Sequence, residues 1–222
     1  MKNYYKTGIL VILLVVPVLV YLFLKTFGEN HYRIQRFIPV EITEKNINGI
    51  IVNDTLFHKV PEFEVIDQNG NSIAGIDFKN KIFVANFFFT RCPGICPKMT
   101  ANLVKVQDTF IKDTLVKLVS ITVDTDYDTP QILKKYGEKY SIEAKKWTLG
   151  TMRTKLDVFN LGFYGFKVPS DTVDKFLHSD KLILVDKEKI IRGFYDGTDK
   201  AEIDRLITEI KVLEYEYEHP NN

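Results

Sequence analysis

The sequence predicts an α/β domain with a mixed central sheet flanked by helices and preceded by an N-terminal transmembrane helix. Three observations carry this. Apolar runs of strand length alternate with stretches of helical spacing through the middle of the chain. A strand pair and an amphipathic helix close it. An uncharged run from Gly8 to Leu24 opens it, at the lower limit of spanning length, about 17 residues.

Lys2 and Lys6 precede that run, and positive flanks stay in the cytoplasm, which puts the rest of the chain outside it. Pro17 is tolerable in lipid. No small-x-small cleavage site follows Leu24, so an uncleaved anchor is favoured over a cleaved signal. No cysteine follows the run, which excludes a bacterial lipoprotein. The expected organisation is an anchor over 1–25, a juxtamembrane linker over 26–59, a folded domain over 60–213 and a flexible tail over 214–222. The expected location is the bacterial inner membrane, single-pass, with the C-terminal domain on the periplasmic side.

Thr26 to Lys59 is weakly patterned and reads as solvated, with His31, Arg33 and Arg36. Glu62 to Asp67 reads as a strand, Asn69-Gly70 as a hairpin turn and Ser72 to Ile73 as the returning strand. Ile82 to Phe89 is almost wholly apolar, the pattern of a strand buried on both faces. Pro97 to Phe110 has helical spacing at Met99, Leu103, Val106 and Phe110. Val116 to Val123 is a strand, and Thr129-Pro130 opens a helix to Tyr140, with proline at its first position. Trp147 to Leu149 is a short strand and Lys155 to Leu161 a helix. Leu182 to Asp186 and Ile190 to Tyr195 form a strand pair around Lys187-Glu188-Lys189, and Asp199 to Leu213 is the last helix.

The composition is globular, 45% hydrophobic and 27% charged, and the net charge of +1 without a basic block excludes nucleic acid as a partner. The chemistry lies in the only two cysteines, Cys92 and Cys96, between a central strand and the next helix. In open α/β sheets that is where ligands bind. Such a pair holds a soft metal, exchanges electrons, or forms a small bridge whose short loop stabilises little. Cys96 precedes Pro97 and is expected at the helix N-cap, where the dipole favours a thiolate. The spacing is C-x3-C, not the C-x2-C of thioredoxin-type redox motifs.

Two thiolates leave a metal site incomplete. Of four histidines, only His178 falls inside the expected fold; His31, His58 and His219 lie before it or in the tail. Two thiolates and an imidazole form a soft donor set that suits copper, whereas a Cys2His zinc site keeps a fourth position for water. Asp124, Asp126 and Asp128 have the spacing that opens a calcium loop, but Thr129 and Lys135 stand where that loop needs Gly and Glu. They read as turn and helix-capping residues, with Asp124 also a candidate outer-shell group. Met99 reads as core rather than as a thioether ligand, and Phe87, Phe88 and Phe89 as sheet core. Phe163, Tyr164 and Phe166 either rim the site or pack.

Four segments together resemble the Sco/SenC family of copper-binding proteins, over roughly Val60 to Leu213. They are Pro61-Glu62-Phe63 with Asp67-Gln68-Asn69-Gly70; Phe89 to Pro97 with its C-P-x-x-C-P; Ser120 to Pro130; and His178-Ser179 followed by Leu184-Val185-Asp186. The resemblance implies a thioredoxin-like fold anchored to a membrane, with Cys92, Cys96 and His178 as ligands of Cu(I) and, as an open alternative, Cu(II). It also implies a metallochaperone that supports assembly of the copper A centre of cytochrome c oxidase, with an oxidase subunit as acceptor. The alternative is a thiol–disulfide oxidoreductase in which Cys92 and Cys96 are the redox-active pair. A peroxidase of peroxiredoxin type is a third, weaker reading. Two departures stand out: Gly94 where the family often carries an acidic residue, and Val123-Asp124-Thr125 for the usual Val-Asp-Pro.

Overall fold

The computed structural model describes residues 2–27, 33–47, 50–169 and 179–220. Helix α1 (Lys2–Phe27) contains Pro17, and its side chains from Tyr4 to Phe23 are exposed. It is long and apolar enough to cross a membrane.

A separate compact unit spans Ile34–Glu214. It opens with an antiparallel pair, β1 (Pro39–Ile47) and β2 (Ile50–Phe57), with one irregularity between Pro39 and Glu41. The weak patterning of the sequence predicts a linker here, and the structure forms a strand pair instead. The reason is physical: among the described side chains Val40, Ile42 and Leu56 are all exposed, so these positions show no alternating buried pattern.

The main sheet has seven strands in the order β4-β3-β7-β6-β5-β8-β9. These are β3 (Glu64–Asp67), β4 (Ser72–Ala74), β5 (Ile82–Phe88), β6 (Val116–Thr122), β7 (Trp147–Thr151), β8 (Lys181–Val185) and β9 (Ile191–Asp196). The strands β5, β6 and β7 run parallel, and the other pairs are antiparallel, so the sheet is mixed as expected. Gly70, at φ 84, makes the β3–β4 turn.

Every residue of β5 is buried, because β6 and β8 flank it and both faces are covered. On one face Phe83, Ala85 and Phe87 join Val119, Ile121 and Ile183, with Phe63, Phe78 and Phe166 packed against them. Ring centroids lie 5.2 Å apart for Phe78–Phe83 and 5.7 Å for Phe87–Phe166. Within the sheet a buried polar chain ties three strands. Ser120 Oγ donates to Asn86 Oδ1 at 2.5 Å and accepts from Trp147 Nε1 at 2.8 Å.

Helices α2 (Ile95–Thr109), α3 (Pro130–Lys139), α4 (Lys155–Asn160) and α5 (Lys200–Glu218) complete the chain. The polar end 214–222, expected as a tail, contributes its first residues to α5, which continues past Leu213. After α4 the chain makes a single π-helical turn, Leu161–Gly165, where a plain helix end was expected. A buried ion pair, Arg192 to Asp186 at 3.1 Å, fastens the entry of this unit: the same guanidinium donates to Ile34 O at 2.5 Å and Gln35 O at 3.3 Å.

Candidate functional site

The parallel strands β5 and β6 end on the same side of the sheet, and the cysteines lie just beyond β5. A turn closed by Cys92 N–H on Phe89 O, at 3.2 Å, redirects the chain into α2. The N-cap of α2 is Gly94, and Cys96 is the second helical residue. The expectation that Cys96 would be the N-cap is corrected. Proline has no N–H to give, and the first turn of a helix needs none, so Pro97 marks the turn but not its first residue.

Both cysteines are buried free thiols, hydrogen-bonded to each other. Their environments differ. Burial pushes the Cys92 thiol up, but Cys92 Sγ is met by backbone N–H groups of Cys96, Gly94 and Ile95 and by the Cys96 thiol, and the balance lies below the ordinary cysteine value. These amides are the orphan donors at the start of α2, a ready-made anion site. For Cys96 burial dominates. The Phe89 N–H favours its thiolate, the charge at Cys92 opposes it, and the thiol is pushed up to about 12. One proton is therefore easily lost from the pair and the second is held.

The loop before Cys92 is pinned by a carboxylate. Asp128 is fully buried and accepts from the Thr90 N–H at 3.0 Å, from the Thr90 hydroxyl and from the Thr122 hydroxyl. The sequence predicts a turn or helix-capping role for Asp128, but Thr129 precedes α3 without a side-chain cap and Asp128 turns toward Thr90 instead. Nothing in Asp-Thr-Pro distinguishes a cap from a cross-loop tie; only the facing Thr90 and Thr122 decide it. The turn expectation holds for Asp124, whose carbonyl accepts from the N–H groups of Tyr127 at 3.0 Å and Asp128 at 2.8 Å. Its carboxylate takes Arg91 at 2.6 Å, with Lys155 at 3.9 Å, and Arg91 also lies 3.8 Å from the Tyr127 ring centroid. Arg91, adjacent to Cys92 in sequence, is thus held in place by two neighbours.

Met99 is core, as expected. Phe166 also packs in the core, Phe163 stacks on Phe159 at 5.6 Å, and Tyr164 is exposed along a groove of about 780 Å³ beside His58 and Arg153. His58 is half-buried and bonds Gly165 O through Nε2 at 2.8 Å. His178 lies outside the described residues. Among the described residues no three His, Cys, Asp or Glu side chains converge to hold a metal. The described chain resumes at Ser179 and enters β8, which is antiparallel to β5 and so starts at the sheet end where β5 finishes. Asp180 O accepts Gly197 N–H at 2.7 Å. A Cβ at Gly197 would lie 3.0 Å from Met99 Cγ and 3.1 Å from Asp180 O, so the approach to β8 passes α2 one turn beyond Cys96.

The SCO1/SenC family model matches residues 53–213. The SCO1 protein homolog of Bacillus subtilis is 26% identical over 167 residues, covering 73% of this chain and 86% of its own length. The crystal structure of a SCO1/SenC family lipoprotein from Bacillus anthracis superposes with a TM-score of 0.64 at 29% identity, covering 71% of this chain and 95% of that one. BsSco, described as a member of the Sco family of cytochrome c oxidase assembly proteins with a disulfide switch, gives 0.61 at 25% identity, covering 69% and 92%. The fold is thioredoxin-like, as the resemblance implied. The strand–loop–helix that carries the two thiols lies inside the matched region, and the chain belongs to the SCO1/SenC family.

Proposed function

We propose that this protein is a membrane-anchored copper metallochaperone that carries copper on Cys92, Cys96 and His178 and delivers it to a cytochrome c oxidase subunit during assembly of the copper A centre. The observation that carries the reading is the hydrogen-bonded thiol pair at the start of α2, with Cys92 favoured as thiolate. Two sulfurs within reach of each other are the soft half of a Cu(I) site, and the neutral imidazole of His178 is the third donor. Family members from yeast and Arabidopsis thaliana have been solved with copper bound. Copper is cargo here, so the holding groups must also release it. The α2 amides stabilise Cys92 without metal, which lowers the cost of the empty state. Helix α1 serves as the anchor, with the folded unit on the periplasmic side.

A second reading rests on the inequality of the two thiols. The Cys92 thiolate attacks a disulfide sulfur of an acceptor, forming a mixed disulfide and releasing one acceptor thiolate. Cys96 then gives up its proton and attacks Cys92 Sγ, which releases the second thiolate and leaves the Cys92–Cys96 disulfide. Two electrons pass to the acceptor. The roles are compatible, because copper binding requires the reduced pair.

The test is an anaerobic Cu(I) titration of the reduced full chain against a competing chelator. One copper per chain is expected, abolished in Cys92→Ser and Cys96→Ser and weakened by about tenfold or more in His178→Ala. Copper binding in His178→Ala as tight as in the parent would remove the histidine from the site. Failure to bind at all, with reactive thiols, would leave the oxidoreductase.

A further inference from the structure

At the far end of the sheet, where β5 and β6 begin, lies a pocket of about 650 Å³ whose lining includes Lys81, Lys112, Lys117, Lys145 and Lys146. It is one length of β5 away from the cysteines, about 20 Å at 3.3 Å per residue. Lysines on a solvated face spread into water, but here the ammonium groups of Lys81 and Lys146 meet on the turn 113–116, and that of Lys117 is held on the chain just before Lys146. Lys81 Nζ donates to Thr114 O at 2.8 Å, and Lys146 Nζ to Asp113 O and, at 2.8 Å, to Val116 O. Lys117 Nζ donates to Lys145 O at 2.5 Å. Lys146 is 5% exposed. Carbonyl oxygens satisfy hydrogen bonds without supplying a counter-charge, and among the described residues none of these five lysines is in an ion pair.

Three acids share the lining; Asp113 and Asp77 are also bonded to backbone N–H groups, and the charge of Asp113 reaches only Lys146 strongly enough to raise it. Asp113 Oδ1 accepts from Leu115 N–H at 2.6 Å and Val116 N–H at 3.3 Å, and its carboxylate is also bonded to Glu214. Asp77 Oδ2 accepts the Ala74 N–H at 3.0 Å, and Glu143 is exposed. The lysines outnumber the acids and repel one another. Burial lowers both Lys117 and Lys146; at Lys117 the charge of Lys81 adds to it, and at Lys146 Asp113 opposes it while Lys117 and Lys81 add to it. A cluster of cations gathered on a turn with too few carboxylates is completed by a diffusible anion.

We propose that this pocket binds a phosphate group through Lys81, Lys117 and Lys146, either as free inorganic phosphate or as the headgroup of an anionic phospholipid. A compact tetrahedral oxyanion offers several acceptors to ammonium groups arriving from different strands, which a single carboxylate does not. The site is independent of the thiols and of the copper reading.

The test uses the full chain in phosphatidylcholine nanodiscs, titrated calorimetrically with sodium phosphate at constant ionic strength. Saturable binding of one phosphate per chain is expected. Lys81→Gln/Lys117→Gln should weaken it by about tenfold or more. Should that variant fail to fold, Lys112→Gln/Lys145→Gln, on exposed side chains, should still weaken binding by about threefold. Repeating the titration in phosphatidylglycerol nanodiscs separates the sources. Loss of the phosphate signal identifies the headgroup as occupant, and an unchanged signal identifies free phosphate. No saturable binding in phosphatidylcholine, or binding equally tight in the folded variants, overturns the proposal.

Discussion

The buried Asp128 carboxylate holds Thr90, two residues before Cys92, by both its N–H, at 3.0 Å, and its hydroxyl. It also takes the Thr122 hydroxyl, so one side chain joins the end of β6 to the loop that presents the cysteines. Asp128→Ala leaves three donors without an acceptor in a buried place. Hydrogen bonds to charged groups contribute about 1.5–3 kcal/mol each, not additively, and a loss of about 2–4 kcal/mol is expected. Asp128→Asn keeps one acceptor, and the hydroxyls can rotate to face its amide, so it should cost about half as much. Thermal melts of the reduced protein check the order; Asn as damaging as Ala would show that charge, not acceptor geometry, holds the loop.

A second tie should be equally visible. Arg192 and Asp186 are buried together at 3.1 Å, and the guanidinium also holds the carbonyls of Ile34 and Gln35. Removing one partner of a buried pair leaves the other unpaired, which costs about 3–5 kcal/mol. Arg192→Met should destabilise by that amount in denaturant unfolding and make the chain near Ile34 more open to proteolysis. A loss under about 1 kcal/mol would mean that Asp186, which also accepts the N–H groups of Glu188 and Ile190, needs no cation.

These two ties mark the limit of what the sequence discloses. The central strand Ile82–Phe88 was legible because burial on both faces writes an unbroken apolar run, and Asn69-Gly70 because a positive φ needs glycine. The cysteine loop was legible because it falls between that strand and a helical pattern. The β1–β2 pair was not, since Val40, Ile42 and Leu56 among its described apolar side chains are exposed. Nor was the role of Asp128: Asp-Thr-Pro reads as a cap locally, and only the fold brings Thr90 beside it. The lysine pocket is harder still, because Lys81, Lys117 and Lys146 are scattered along the chain and meet only where β5, β6 and β7 begin.

Gly150 tests how tightly β3 sits on β7. A Cβ there would lie 2.7 Å from both Cβ and Cγ2 of Val65, which is itself buried. Neither atom is the end of a flexible side chain, so the strands must separate, and overpacking of this kind costs about 1–3 kcal/mol. Gly150→Ala should lower the melting temperature, and Gly150→Ala/Val65→Ala should recover part of the loss. If the double variant is simply the sum of the two singles, the contact is not the cause.

The unequal thiols give a prediction in pH. Cys92 lies below the ordinary cysteine value because the start of α2 stabilises its thiolate, whereas burial holds Cys96 up to about 12. Thiolate is the reactive form, so the Cys92 thiolate fraction rises at a lower pH than in a free cysteine, and that of Cys96 only in strong alkali. Brief treatment of the reduced protein with iodoacetamide at neutral pH should therefore label Cys92 first, as read by peptide mapping, and the rate should rise with pH until Cys92 is fully ionised and then level. Lowering the pH through the Cys92 value should quench labelling without exposing Cys96. Surface access alone does not order them, since the two residues are similarly exposed, 6% and 4%. The order of labelling thus reports electrostatics more than exposure. Cys96 labelled first, or both at equal rates across the titration, would remove the helix terminus as the cause and with it the assignment of Cys92 as the attacking thiol.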